Sequence, residues 1–453
     1  MHALMRDRIA LASATVVVFV SRLPFLAPGW GMDPDSYRLA LVAQEMAETG
    51  VYTASRMPGY PLQELLLARI VDLGPWAANL ASAIFSAVAF LAFALVLRTW
   101  KVKEYLLVAL AFAFAPVVYV SSTSTIDYIW AFAFLLVSLR LLQSRKVLLS
   151  GICLGLAAGC RLGSIAMAAP LLLYWYLDRR GDARHGREPL IFMLGAAAAS
   201  MACFFPVFER YGLGFLAFEG DYPRLARIAA NLTTRVWGTI GLLAFALLVP
   251  HLRRGVGILW RGLRSRSTGP AIAFAVVSVA ILGAMFARMP HEPGYLLPAV
   301  PWTLFLAAYV LPRRTLRAFL LLMILSPFVL SVDKGGITPH GRIFRDQRDR
   351  IALAEQTEET IAQARRLDHE AVIVAGYHYP PLRLRLGSEQ VGQARFVRGI
   401  HDAQEFARFA GNDGRVYYLP DMDRYMRRAY GVDLNALGAK CLHPVSLAAS
   451  VRQ

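Results

Sequence analysis

Apolar runs long enough to cross a bilayer, about 18 residues or more, recur through the first 332 positions and alternate with short polar segments rich in Arg. They predict helices near residues 9–27, 77–97, 104–120, 127–142, 147–159, 163–177, 189–208, 237–251, 270–287, 294–311 and 316–332. The fifth and sixth are short for full crossings. Val147 to Leu177 reads as a broken hairpin that dips at Gly159-Cys160-Arg161, since non-helical backbone at membrane depth is tolerated where it lines a cavity. One long tilted span over the same residues is the alternative. Between the first two runs, Leu39, Val42 and Met46 recur at spacings of three and four. That spacing predicts a helix over Ser36–Glu48 that lies along the interface and ends at Gly50.

Charge decides between the hairpin and the long span. With eleven crossings and a cytoplasmic start, Met1–Arg8, Arg98–Lys103, Arg140–Lys146, Asp178–Arg187, Leu252–Arg266 and Pro312–Arg317 are inner loops. They hold roughly twenty Lys and Arg, about twice the number in the outer loops, as the positive-inside rule requires. Merging the fifth and sixth runs would put Arg253, Arg254, Arg261, Arg264 and Arg266 outside. Eleven crossings are therefore expected, with the first loop and the tail after Asp333 sharing the extracytoplasmic side. Met1–Arg8 is short and basic ahead of an apolar run, but no small-residue cleavage site precedes Arg22-Leu-Pro-Phe, so a retained first helix is expected.

From Asp333 the chain turns polar. Strand-like runs at Ala371–Gly376 and Arg415–Pro420 alternate with helical patterns at Asp346–Leu367, Asp402–Ala410 and Met422–Tyr430. Alternation of this kind predicts a small α/β domain over 333–453 behind a membrane domain over 1–332, with Gly335-Gly336 as the linker. Glu355, Glu358 and Glu359 read as a solvated helix face. Composition agrees with a polytopic membrane protein. Hydrophobic residues make up 57% and charged ones 17%, against about 25% charged in soluble domains, and the mean hydropathy is +0.45. The net charge of +17 lies mostly in the short loops, where it sets orientation, so it does not point to nucleic acid. The four cysteines have no zinc or disulfide spacing.

Candidate chemistry collects in the outer loops. Asp33 and Asp35 open the interfacial helix, where each would serve as an ordinary N-terminal charge. The other reading makes one of them a general base that takes the proton of an attacking hydroxyl. Their Asp-x-Asp spacing also permits a divalent metal, which stays open. Arg56-Met-Pro-Gly-Tyr60-Pro is a rigid turn that returns a guanidinium toward the membrane. Asp127 ends the run Ser121-Ser-Thr-Ser-Thr-Ile and heads the fourth apolar run. Arg161 lies between two short apolar helices, which is costly unless it is paired. Asp127 and Asp35 are its candidate partners. Arg288, His291 and Tyr295 sit in a short Pro-bounded loop and are suitable donors for a phosphate at the interface. Charges snorkelling to the surface would give the same pattern.

Pro34-Asp35-Ser36-Tyr37-Arg38-Leu39-Ala40, placed directly after the first run and followed by a Pro-Gly-Tyr turn, resembles the GT-C class of membrane glycosyltransferases. That class includes the protein O-mannosyltransferases and the lipid A aminoarabinose transferase. The resemblance implies an α-helical polytopic membrane protein with about eleven transmembrane helices of GT-C type and a small C-terminal α/β extracytoplasmic domain. It implies Asp35 as catalytic base with Asp33 as helper and Asp127 as the second outer-loop acid. Arg161 would face the substrate cavity, Arg288, His291 and Tyr295 would meet the lipid phosphate, and Arg56 and Tyr60 would also be substrate-binding. The chief departure is Ser36, where relatives commonly carry Glu. The implied activity is transfer of a hexosyl or pentosyl group from a polyprenyl-phosphate donor to a glycan, lipid or protein hydroxyl outside a bacterial inner membrane. A transporter or flippase of a lipid-linked anion is the alternative from another class. Against it stand the lack of inverted-repeat symmetry and the polar residues' preference for outer loops over mid-bilayer positions.

Overall fold

In lipid, every backbone N–H and C=O must find its partner within the segment or a neighbour, so apolar runs of this length fold as helices. The computed structural model describes residues 2–179, 186–216, 223–333, 336–411 and 415–442. In chain order the helices begin with α1 (His2–Val20), α2 (Pro34–Thr49), α3 (Pro61–Ala68), α4 (Gly74–Thr99), α5 (Tyr105–Ala113), α6 (Pro116–Ser121), α7 (Tyr128–Gln143) and α8 (Val147–Cys160). They continue with α9 (Ala168–Asp178), α10 (Glu188–Tyr211), α11 (Leu225–Leu232), α12 (Thr234–Phe245), α13 (Leu252–Arg264), α14 (Gly269–Arg288), α15 (Val300–Val310) and α16 (Arg313–Leu325). A hairpin of β1 (Val329–Asp333) and β2 (Gly336–His340) follows, then α17 (Arg342–Arg365). The tail holds β3 (Ala371–Val374), α18 (Tyr379–Leu386), β4 (Gln390–Val391), β5 (Ala394–Val397), α19 (Ala403–Ala410), β6 (Arg415–Tyr418), α20 (Met422–Tyr430) and β7 (Lys440–Cys441).

The chain divides into two compact units, one of Met1–Trp30 with Val42–Gln347 and one of Gly31–Leu41 with Arg348–Gln453. Among the described residues of the first, Met5–Phe25, Val71–Thr99, Glu188–Gly214, Thr234–Arg264, Gly269–Arg288 and Pro293–Val310 are long and apolar enough to cross a membrane. Tyr128–Gln143, Val147–Cys160 and Leu162–Asp178 are shorter apolar helices. The core is aromatic at its centre, where fully buried Trp302 meets the rings of Phe274 at 4.8 Å and Phe93 at 5.7 Å.

Several segments differ from the sequence pattern, each for a local reason. The run expected as one helix over 104–120 breaks into α5 and α6. Ala115 is extended because Pro116 follows it, and Pro116 then starts the next helix. The helix expected over 316–332 stops at Leu325. Pro327 cannot continue it, and Val329–Asp333 pairs as a strand instead. Gly336, expected in a linker, begins β2, while Gly335 lies outside the described residues. Leu252–Arg266, expected as a loop, is helical through Arg264.

α8 packs against α10 through Gly151, Gly155 and Gly159, one face at a spacing of four. A Cβ at Gly155 would lie 2.5 Å from the Ala196 carbonyl oxygen, and one at Gly159 2.6 Å from Cys203 Sγ. Small residues that admit a neighbouring backbone are the usual means of helix association in lipid. This contact sets where α8 ends, and Arg161 stands at that end. Gly155→Val has no room to relax. It is expected to lower stability by about 1–3 kcal/mol, read as a lower melting temperature in lipid nanodiscs. An unchanged melting temperature would count against this packing.

The second unit carries a five-stranded sheet in the order β4-β5-β3-β6-β7. β3 runs parallel to β5 and β6, β6 parallel to β7, and β4 antiparallel to β5. This is the α/β arrangement that strand–helix alternation predicts. Asp402 caps α19 by accepting the Glu405 N–H at 2.7 Å. Just beyond β3, burial pushes the His378 imidazole down to about 4, with Asp421 opposing the shift. A histidine that titrates near 6.5 when unfolded thus binds its proton less readily when folded. Its contribution is full above pH 6.5 and falls toward pH 4, by a loss on the order of 2–3 kcal/mol. Hydrogen exchange of β3, corrected for the intrinsic rate, should accelerate through that window, and His378→Gln should remove this part of the dependence.

Candidate functional site

The hydroxyl-rich run before α7 is buried and consumed by structure. The Thr125 hydroxyl donates to Asn79 Oδ1 at 2.8 Å, and the Asn79 amide donates to the carbonyls of Leu26 at 2.8 Å and Gly29 at 2.9 Å. The Thr125 N–H donates to Trp30 O at 2.7 Å. Arg22, fully buried, donates to Val18 O and Ser21 Oγ, each at 2.8 Å, to Ser122 Oγ at 3.2 Å and to Ala113 O. Its guanidinium also lies 4.3 Å from the Tyr119 ring centre. These ties clasp the loop after α1 onto α4 and the head of α7. They leave Asp127 at a fixed point.

Asp127 is 99% covered, with 1% of its side chain exposed, and it makes no capping bond to α7. Its two oxygens go to two cations instead. Arg56 Nη2 lies 2.8 Å from Oδ1, and Arg161 Nη1 lies 2.6 Å from Oδ2. Arg56 keeps 17% of its side chain exposed and Arg161 keeps 21%. Both are held by aromatic faces as well. Arg56 sits 4.0 Å over the Tyr60 ring and donates Nε–H to its hydroxyl at 3.1 Å. Arg161 lies between Tyr128 at 4.6 Å and Tyr295 at 4.4 Å, whose rings meet edge-on at 5.9 Å. Gly294 lets Tyr128 lie flat there, because a Cβ would fall inside the ring's van der Waals surface. Arg161 reaches this position because the backbone turns extended after α8 and resumes as a short 3-10 helix, Leu162–Met167.

The turn that carries Arg56 is built on a carboxylate that the sequence pattern did not single out. Glu64, in α3, is fully buried. It accepts from the Ser55 N–H at 2.8 Å, the Ser55 hydroxyl at 2.6 Å, the Tyr60 N–H at 3.0 Å and the Tyr52 hydroxyl at 2.5 Å. Burial pushes its carboxyl above the usual range, and the Ser55 and Tyr52 hydrogen bonds oppose that. Gly59 completes the turn with φ +91, where a Cβ would also meet Tyr52 Oη at 2.9 Å.

Of the other expected donors, Tyr295 joins the Asp127 cluster through Arg161. His291 lies in the neighbouring loop, gripped from α11: its carbonyl accepts from Asn231 at 2.8 Å and from Arg227 at 3.2 Å, and Arg227 pairs with Glu292 at 2.5 Å. Arg288 ends α14 with its side chain exposed. Asp33 and Asp35 belong to the second unit. There Asp33 Oδ1 accepts the Asp35 N–H at 3.0 Å, as a capping residue does. The Asp35 carboxylate keeps 23% exposure and lies 3.4 Å from Arg38. Among the described residues, no three His, Cys, Asp or Glu side chains converge as a metal-ligand group. Sequence reasoning missed Glu64, Tyr128, Arg22, Asn79 and Asn231. Only Glu64 left a trace, as an acid between apolar residues directly after the Pro-Gly-Tyr-Pro turn.

Glu64→Ala leaves the N–H groups of Ser55 and Tyr60 without their acceptor. An unmade buried bond costs about 1–3 kcal/mol, so the variant is expected to melt lower. Trypsin should also cut after Arg56 faster than in the wild type. Wild-type melting and cleavage would remove Glu64 from this role.

No protein-family model matches the sequence, and no curated protein matches it. Solved structures do match. ArnT from Cupriavidus metallidurans bound to undecaprenyl phosphate aligns with TM-score 0.59 at 15% identity, over 93% of this chain and 94% of that one. The same enzyme in the apo state gives 0.60 at 15% identity over 95% of each chain. The archaeal oligosaccharyltransferase AglB from Archaeoglobus fulgidus, in complex with an inhibitory peptide and a dolichol-phosphate, gives 0.48 at 12% identity, over 86% of this chain and 65% of that one. At these identities the likeness is one of fold alone, and the fold that this chain shares over nearly its whole length is that of ArnT.

Proposed function

We propose that the protein is an integral-membrane glycosyltransferase. It would move a sugar from a polyprenyl-phosphate donor to a glycan, lipid or protein hydroxyl, on the extracytoplasmic side of a bacterial inner membrane. The observation that carries this reading is Arg161, whose guanidinium is held by Asp127 on one edge and by the rings of Tyr128 and Tyr295, yet keeps 21% of its side chain exposed. A guanidinium fixed in this way is preorganised to meet an anionic phosphate. ArnT, which shares the fold, was solved with undecaprenyl phosphate bound.

The chemistry follows from that assignment. The acceptor oxygen attacks the anomeric carbon, the carbon–oxygen bond to the phosphate breaks, and its electron pair stays on the phosphate. Arg56 and Arg161, fixed in place by Asp127, stabilise that growing charge, which is the electrostatic contribution that usually dominates. Arg288 and His291 supplement them at the interface. With both oxygens committed to guanidiniums, Asp127 is a positioning residue. The sequence resemblance assigns the base to Asp35, which would take the acceptor's proton. The sugar then leaves with inverted configuration.

Undecaprenyl phosphate binding in nanodiscs and radiolabelled sugar transfer to membrane acceptors test this division of labour. Arg161→Ala removes a charge-assisted contact of about 1.5–3 kcal/mol, and so should weaken lipid-phosphate binding about tenfold or more. Asp35→Asn should bind the lipid normally but transfer about 10²-fold more slowly. A fully active Asp35→Asn protein would dismiss Asp35 as the base. Binding that is unchanged in Arg161→Ala would dismiss the cluster as the phosphate site.

A further inference from the structure

We infer that α13 is a docking helix for anionic phospholipid, independent of the transfer site. Its sequence, Leu-Arg-Arg-Gly-Val-Gly-Ile-Leu-Trp-Arg-Gly-Leu-Arg, sorts into three faces at 3.6 residues per turn. The first is the protein face, set by Gly255 and Gly262. A Cβ at Gly255 would lie 2.6 Å from Val310 Cγ1, and one at Gly262 would lie 2.5 Å from Ile272 Cδ1 and 2.7 Å from Tyr309 Oη. These glycines are about 10 Å apart along the helix axis, yet they meet consecutive residues at the end of α15. The helix therefore runs across the end of α15 instead of along its side. The whole helical stretch Thr234–Arg264 is 31 residues long, against about 20 needed for a crossing. Its last turns thus have the length to leave the bilayer core and lie on the surface.

The second face is apolar and uncovered. Leu252 is 57% exposed, Val256 69% and Trp260 57%. It continues the exposed Leu243 and Val249 of the segment before it, so one lipid-facing surface runs from the crossing segment onto α13. The third face holds Arg253, Arg254, Arg261 and Arg264, with Arg266 just beyond. No Asp or Glu occurs between Asp221 and Glu292 in the sequence, and among the described residues none of these five arginines pairs with a carboxylate. Arg261 Nε instead reaches the Gly257 carbonyl at 3.3 Å, and Arg264 lies 4.8 Å over the Trp260 ring. A tryptophan and an arginine stacked at the seam of an apolar and a basic face suit headgroup depth. Unpaired positive charge beside a lipid-facing apolar row is complementary to an anionic phospholipid surface. An acidic protein would satisfy the arginines but not the continuous apolar row.

The test uses the full-length protein in nanodiscs of phosphatidylcholine with an equal part of phosphatidylglycerol, with native mass spectrometry counting the lipids retained. The wild type is expected to retain phosphatidylglycerol in preference. The variant with Arg253, Arg254, Arg261 and Arg264 all changed to Gln should lose about tenfold or more of that preference. The matching four-Lys variant should keep it, because the attraction is one of charge. Melting in pure phosphatidylcholine discs should be equal for all three, which separates lipid recognition from folding. Added salt should weaken the wild-type preference, a readout that stands even where the Gln variant fails to fold. Equal retention of both lipids by the wild type would overturn the inference in favour of an acidic protein partner. A Gln variant with undiminished preference, or a preference insensitive to salt, would overturn it outright.

Discussion

A carboxylate buried between two guanidiniums ties together three separate elements of the membrane unit. Asp127 heads α7, Arg161 stands where α8 breaks, and Arg56 rides on a turn between two short helices. Each is expensive alone in a low-dielectric setting. Breaking a buried pair by removing one partner typically costs about 3–5 kcal/mol, because the other charge is left behind. The three elements therefore have to arrive together. The hydrogen-bonded scaffolding around them, from Asn79, Thr125 and Glu64, holds them at that geometry once they meet.

Two deeply placed arginines of this unit make the contrast plain. Arg22 spends its N–H groups on carbonyl and hydroxyl oxygens of Val18, Ser21, Ala113 and Ser122, with ring faces of Phe114 and Tyr119 beside it. It is fully buried and acts as a clasp between helices. Arg161 has its faces covered by Tyr128 and Tyr295 and one edge turned to Asp127, yet keeps a fifth of its side chain accessible. Ring faces attract a cation without occupying the in-plane N–H groups that an anion would use. The same residue type, under the same desolvation cost, is closed for structure in one place and left approachable in the other.

Much of this was legible in the sequence because membrane burial leaves strong periodic signals. Most of the apolar runs, the helix after the first of them and the strand–helix alternation of the tail appear where the pattern places them, whereas the runs over 104–120 and 316–332 are broken at prolines. Asp127, Arg161 and Arg56 stood out because charges next to apolar runs are conspicuous. The pairing itself was legible only as a short list of partners for Arg161. What stayed hidden depends on contacts between distant residues. Glu64 looks like any acid in a short amphipathic helix until the turn folds back on it, and Asn79 looks like one polar residue in a long apolar helix. β4 and β7 are two residues each, too short for alternation to register. Hydropathy continues past Pro327 through Phe328 and Val329, so the pattern runs on where α16 has already ended at Leu325.

α13 carries the same lesson into an energetic argument. Its arginines first read as loop residues that set orientation, since a charge count along the chain cannot distinguish a loop from a surface helix. The glycines decide the matter, because only positions without a side chain let the helix lie against Val310, Ile272 and Tyr309. Once that face is fixed by packing, the remaining two faces have no freedom to exchange, and the apolar row and the basic row must present themselves side by side. A loop could turn its arginines toward any counter-charge. A helix pinned by two glycines holds four of them on one side of an apolar ridge, and it is this fixed arrangement from which the lipid preference is inferred.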